Sequence, residues 1–472
     1  MTITGDELNS EGLGQEGSAP SEPSRDSPSR NGLGCEEPGR DAVGRGGLGR
    51  AGLGRAEAAA LDEIDEAAVA RALQELIAIP SVTGSPAESE IQHHLAGRLE
   101  RLGMDVDLWS MDLPALRAHP GFPGAEAPRE EAWGLVGTTP DGGDGPLLVL
   151  QGHVDVVPPG DHAAWDGDPF VPRVSGDLVH GRGACDMKAG LVAHLAALAA
   201  IRAAGVRLRG RVAAHFVVGE EDGGLGAFGT LRRGHGGDAC VITEPTGGTL
   251  ITANAGALTF RLTVPGKAAH ASSRDAGVSA IDAYLPLHRA LAELERARNA
   301  DPAPLMAEYP IPYALSVGTL RAGDWASSVP DLLVAEGRLG VRLGEDPAHA
   351  RAELERCVAD ACAADPWLRD RPANVSWPGG QFASGRLPEG HPLRDVVRGA
   401  HADAVGGAPV RERGAPYGSD LRLYAAAGIP TLQFGPGDVR VAHSAREHVS
   451  VGEVVAVARA LVLTVLRTVG TR

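Results

Sequence analysis

GPLLVLQGHVDVV, residues 145–157, is an apolar run rich in Val and Leu that carries His153 and Asp155 towards its end. An apolar run this short, opened by Gly and Pro, reads as a strand buried on both faces, with the polar pair at its carboxyl end. Downstream the sequence predicts a helix over 187–204, a strand over 211–218, a short helix after Gly224 and a strand over 239–243. That alternation is a βαβ rhythm and implies an α/β layered domain, a mixed sheet flanked by helices. Upstream, order is expected to begin near Leu61, with helical spacing in EAAVARALQELIAI and again over 88–102.

From Ala257 the texture changes. LTFRLTV alternates with period 2, a helix is expected over 280–298, ALSVGTLRAG and LLVAEGRLGV alternate again, and a helix covers 347–363. This reads as a small α+β unit inserted into the larger domain. After Trp377 the first texture resumes, with a helix over 392–404, the buried run IPTLQFG and a terminal helix over 451–468. The expected organisation is a disordered tail over 1–58, a catalytic domain over 59–255, an inserted lid over 256–374 and the rest of the catalytic domain over 375–472. The tail is assigned from its Gly, Ser, Pro, Arg and Glu content, which buries too little apolar surface to offset chain entropy.

A length of 472 residues favours more than one domain, and 43% hydrophobic with 22% charged residues is the balance of a soluble globular protein. No segment carries the ~20 uninterrupted apolar residues of a membrane span, and MTITGDELNSEG has no signal-peptide pattern, so a cytoplasmic location is the expectation. Five unpatterned cysteines suit a reducing compartment. A net charge of −17 argues against nucleic acid as a partner.

The chemistry lies in where the acids and histidines fall. His153 and Asp155 follow one buried strand, Asp186 precedes a helix, Glu220 and Glu221 end the next strand, Glu244 ends another, and His443 follows the last. Strand ends at one edge of an α/β sheet line its ligand crevice. Taken singly, each has a plainer reading: a structural histidine, a solvated strand end, a helix cap at Asp186. Together, buried acids and imidazoles at successive strand ends require a compensating cation, and zinc takes these ligand types while leaving a position open.

The ordered segments GHVDVVPPG, GRGACDMKAG, GEEDGGLG, ITEPT, GKAAHAS and FGPGDVRVAHSAREHV resemble the motifs of the metallohydrolase family of acetylornithine deacetylase, succinyl-diaminopimelate desuccinylase, aminoacylase and glutamate carboxypeptidase. The resemblance runs from Leu61 to the end of the chain. It implies two divalent ions, zinc or cobalt, with His153 and Glu244 on one, Glu221 and His443 on the other, and Asp186 bridging. It implies Asp155 as the acceptor that orients the His153 imidazole, Glu220 as general base, and a cis peptide after Asp186. It also implies a lid that makes a homodimer contact in many members, with His270 of GKAAHAS reaching an active site, often the partner's, to stabilise the oxyanion.

The sequence departs from the family at the lid arginine that grips a substrate carboxylate. Ten residues beyond Pro330 stands Gly340, with Arg338 and Arg342 on either side, and Arg338 is preferred. Gly418, Ser419 and Asp420 resemble a substrate-side loop without an assigned role. The expected activity is hydrolysis of an N-acyl amino acid or short peptide. A dipeptidase or carboxypeptidase is the alternative within the family, and a catalytically inactive binding protein the alternative outside enzymes.

Overall fold

The computed structural model describes residues 52–140 and 142–472. Leu147–His153 lies near the centre of a nine-stranded mixed sheet. Its neighbours Arg211–Val217 and Ala239–Ile242 run parallel to it, and Thr431–Gln433 runs parallel to Ala239–Ile242 on the far side. Alternate side chains serve opposite faces, as the double burial of this strand requires. Leu148 and Leu150 enter the large core under the helices Glu66–Ile77, Ala87–Arg101, Ala189–Ala203, Leu393–Val405 and Val451–Val469, whereas Val149 enters the smaller core beneath Leu225–Arg233 and Leu421–Ala426.

The inserted unit has its own sheet, in which Gly256–Pro265 and Leu332–Val341 pair antiparallel along their full length and Leu315–Ala322 forms an edge. Helices Ala280–Arg298 and Pro347–Ala364 cover one face of it over a separate core that includes Leu258, Phe260, Leu287 and Leu354. The chain is thus an α/β sheet layer interrupted by an α+β unit.

Two expectations need correction. Residues 1–51 of the anticipated tail lie outside the described residues, but its last part is ordered: helix Arg55–Asp62 begins there, with the Glu57 carboxylate accepting the Gly54 N–H at 2.8 Å and Leu61 buried. The boundary after 374 falls inside the inserted sheet, because Asn374–Ser376 and Gln381–Phe382 both pair with Gly256–Pro265. The main sheet resumes only at Gly385–Arg386. The stretch Ala184–Ala203 is long and apolar, with a mean hydropathy of 1.5, but 83% of its most apolar window is buried inside the protein, as in a core helix.

One close approach sets the geometry around the sheet edge. Helix Ala189–Ala203 starts directly against the end of Ala239–Ile242, and a Cβ on Gly190 would stand 2.4 Å from the carbonyl oxygen of Thr243. One turn later His194 Nε2 meets the Thr243 hydroxyl at 3.0 Å. The contact brings Asp186, just before the helix, beside Glu244, just after the strand. Gly190→Ala must push the helix off the sheet and is expected to lower stability by about 1–3 kcal/mol, read as a lower urea midpoint at unchanged slope. An unaltered midpoint would show that the helix slides freely along the strand.

Candidate metal centre

Four consecutive strands, Arg211–Val217, Leu147–His153, Ala239–Ile242 and Thr431–Gln433, end at the same edge of the sheet because neighbours along the row are parallel. At or soon after these ends stand polar residues: Glu220 and Glu221 after Val217, His153 as the last residue of its strand, Glu244 after Ile242, and His443 on the loop that follows Gln433. Asp186 comes from the turn before helix Ala189–Ala203, where the Asp186–Met187 bond is cis, as the resemblance implies. His443 has a φ of 59°, a left-handed conformation uncommon outside glycine.

Asp186 stands between two imidazoles. Its Oδ1 lies 3.1 Å from His153 Nε2 and its Oδ2 lies 3.5 Å from His443 Nε2. Glu244 Oε2 is 3.7 Å from the same His153 nitrogen, and Glu221 Oε1 is 3.1 Å from that of His443. His153, Glu220 and Glu244 present ligand atoms within 4.8 Å of one another, as do His153, Asp186 and Glu221. All five expected ligands therefore share one site.

Asp155 behaves differently from the expectation. It is the backbone carbonyl of Asp155, at 2.9 Å, that faces His153 Nδ1, while the carboxylate is 3.6 Å away. The carboxylate is already taken: it accepts the N–H groups of Glu220 and Glu221, both at 3.2 Å, and the Thr83 hydroxyl at 2.9 Å. The consequence for His153 is sharp. A carbonyl only accepts, so Nδ1 carries the hydrogen, and Nε2 then turns its lone pair towards two carboxylates. A second proton or a cation must occupy that space.

Charge gives the same answer. Although burial opposes the imidazolium, Glu244 and Asp186 raise His153 well above the ordinary imidazole value. His443 is raised to about 11 by its hydrogen bonds to Asp186 and Glu221. Burial, then the charge of Asp186, pushes Glu221 up to about 7, and burial brings Glu244 to the same region. Glu220 is raised well above its usual range by burial and then by Glu244 and Asp420. Its Oε1 is buried without a hydrogen-bond partner. These carboxylates outnumber the two imidazoles, and the donor set of His nitrogen and carboxylate oxygen fits a pair of divalent transition-metal ions.

The acids and His443 line a cavity of about 410 Å³ that the inserted unit closes with Thr259, Arg338 and Phe382. The Arg338 side chain reaches this cavity and makes no ion pair or hydrogen bond with another described residue. Arg342 instead turns back, its Nε donating to the Arg298 carbonyl at 3.1 Å. His270 is exposed outside the cavity lining, with its Nδ1 2.8 Å from the Ser272 hydroxyl.

Several contributors escaped the sequence reading. Tyr417 and Glu126 line the cavity beside Gly418. Glu447, buried with Arg182 in an ion pair, accepts the N–H groups of Cys185 and Asp186 at 3.0 and 3.1 Å and so fixes the turn that carries Asp186. Both residues sit inside recognised motifs, GRGAC and AREHV, and that placement was their only signal. Asp420 is held by Gln151 Nε2 at 2.9 Å behind Glu220, which gives the Gly418 to Asp420 loop a structural place.

Comparison with known proteins places this geometry. A profile described as peptidase family M20/M25/M40 matches residues 149–467. The chain is 28% identical over 411 residues to N-formyl-4-amino-5-aminomethyl-2-methylpyrimidine deformylase of Halalkalibacterium halodurans, covering 81% of this chain and 90% of that one. It is 31% identical over 401 residues to succinyl-diaminopimelate desuccinylase of Gluconacetobacter diazotrophicus, covering 81% and 92%. Among solved structures, a tripeptidase of Staphylococcus aureus superposes with a TM-score of 0.65 at 21% identity, over 86% of this chain and 99% of that one. At that identity the likeness is one of fold.

Without a cation the site makes stability fall with pH. Glu221 and Glu244 near 7 stand above their ordinary value of about 4.3, so the folded chain holds protons that the unfolded chain releases, and stability declines from about pH 4.5 to 7. His443 adds a contribution that is complete below about 6.5 and lost as pH rises towards about 11. In chelator the melting temperature is therefore expected to fall between pH 5 and 8. Zinc or cobalt at about 100 times its Kd should restore about 2.7 kcal/mol, with the larger gain at the alkaline end. Melting curves unmoved by either metal would contradict this.

Proposed function

The chain belongs to peptidase family M20/M25/M40, and from that premise we propose that it is a metal-dependent hydrolase cleaving the amide bond of an N-acyl amino acid. The observation that carries the reading is Asp186, with one oxygen turned to each of two imidazoles. In this reading His153 and Glu244 hold one ion, Glu221 and His443 the other, and Asp186 serves both. Held there, such ions would supply the Lewis acidity that makes water nucleophilic near neutral pH and polarises a scissile carbonyl. Zinc fits the nitrogen and oxygen donors, and cobalt takes the same ligand types.

Glu220 is the base. It enters the cavity with one oxygen unpartnered, and its neighbour Glu221 turns to His443. Glu220 takes the proton of the attacking water as the oxygen to carbonyl carbon bond forms, then returns it to the nitrogen as the carbon to nitrogen bond breaks, so that acid and amine leave together. Arg338, an unpaired cation on the cavity wall, anchors the substrate carboxylate. His270, exposed and outside this cavity, acts across a homodimer formed through the inserted unit and stabilises the oxyanion in the partner copy. The relatives described above are a deformylase and a desuccinylase by name, which supports an N-acyl substrate over a dipeptide.

Glu220→Gln is expected to lower kcat about 10²- to 10⁴-fold while metal content stays at the unaltered level; near-normal turnover would remove the role. Arg338→Ala is expected to raise KM about tenfold for carboxylate-bearing substrates and to leave carboxamide analogues unaffected. A panel of N-formyl, N-acetyl and N-succinyl amino acids beside dipeptides, run on zinc-loaded protein, tests the class. Faster turnover of dipeptides than of every acyl compound would overturn it.

A further inference from the structure

The turn that carries Glu220 is wrapped around a buried guanidinium. Arg129, 6% exposed, lies between two buried carboxylates, with Nη2 3.3 Å from Glu88 Oε2 and Nη1 3.2 Å from Asp222 Oδ1. Glu88 also accepts the N–H of Gly219 at 3.0 Å, so one carboxylate binds the start of the turn, and Asp222 is itself its end. The fit is close: Gly219 has a φ of 64°, and a Cβ there would stand 2.8 Å from Arg129 Nη1. Asp155 ties the two amides between, those of Glu220 and Glu221.

The same cluster reaches the inserted unit. Asp222 Oδ2 accepts the N–H groups of Ala127 at 2.9 Å and Glu126 at 3.2 Å. The Glu126 carboxylate in turn accepts the Thr259 hydroxyl at 2.9 Å and the Gly380 N–H at 3.2 Å, both on the inserted unit. One guanidinium thus connects the start of the turn, its end, and the loop on which the cavity wall rests.

We propose that Arg129 is a positioning residue: by binding Glu88 and Asp222 it clamps both ends of the turn 219–222 and holds the Glu220 carboxylate at the attacking water. The inference rests on the assignment of Glu220 as base. A buried ion cluster is a poor device for stability alone, since apolar groups of equal volume often serve as well or better. Its distinctive contribution is orientation, and a misplacement of about 1 Å at a reacting group costs on the order of 100-fold in rate.

The test uses the full zinc-loaded chain and its variants Arg129→Met, Arg129→Lys, Asp222→Asn and Glu220→Gln, with kcat, KM, bound metal and urea midpoint measured for each. Arg129→Met is expected to lose about 30- to 100-fold in kcat, with KM within about threefold and metal content retained. Arg129→Lys, which keeps the charge but has one nitrogen where two reach Glu88 and Asp222, is expected to recover only part of that loss. Asp222→Asn keeps an acceptor for the Glu126 and Ala127 amides but loses the charge, and is expected to fall about tenfold. It decides the matter if Arg129→Met does not fold. A folded Arg129→Met or Asp222→Asn with kcat within about twofold of normal, or a loss matched by lost metal, overturns the proposal. Full activity in Glu220→Gln instead overturns the assignment beneath it.

Discussion

The carboxylates of Asp186, Glu220, Glu221 and Glu244, gathered against two imidazoles at the edge of a sheet, form the constraint on which the rest depends. Water cannot solvate charges buried this deeply, and the protein supplies too few cationic groups to balance them. The His153 tautomer makes the point at atomic scale, since the Asp155 carbonyl fixes the proton on Nδ1 and leaves Nε2 facing oxygen. An arrangement so unfavourable when empty is favourable only as a receptacle for positive ions. The buried supports around it, Glu447 with Arg182 and Glu88 with Arg129 and Asp222, act on the backbone that carries the ligands.

The fold answers that constraint through parallelism. Strands running the same way place their ends in a row, so residues almost 300 positions apart meet without any long loop crossing the core. The glycine at 190 and the carbonyl of Thr243 then set how near the helix-borne acid comes to the strand-borne ones. The inserted unit closes the cavity with its own sheet and core, which leaves the ligand framework to the main sheet alone.

Much of this was legible in the sequence, and the reasons differ by region. The helix expected over 280–298 is present as Ala280–Arg298 despite Pro286, because its apolar residues keep one face. The strand Leu147–His153 announced itself by continuous burial. The edge strand Asp105–Ser110 and its neighbour Trp133–Thr138 gave no such signal: DVDLWS is half polar, and Gly134 is required because Trp109 lies over it in the paired strand. At the site, residue type and position beside strand ends disclosed His153, Asp186, Glu220, Glu221, Glu244 and His443. Charged residues that act from beneath, such as Arg129 and Glu447, stayed hidden, because burial of a charge depends on neighbours distant in the chain. His270 stands exposed and outside the cavity lining, a placement that its motif alone did not disclose.

The strand Thr431–Gln433 fits between Ala239–Ile242 and Thr249–Asn254, segments completed almost 180 residues earlier. During synthesis on the ribosome the emerging chain therefore carries an open slot in its principal sheet, with unpaired backbone on both sides, until Thr431–Gln433 is made. Termination between Glu244 and that strand yields a species that retains the acids of the site but exposes unpaired sheet edges, a substrate for chaperones and proteases in place of a weakened enzyme.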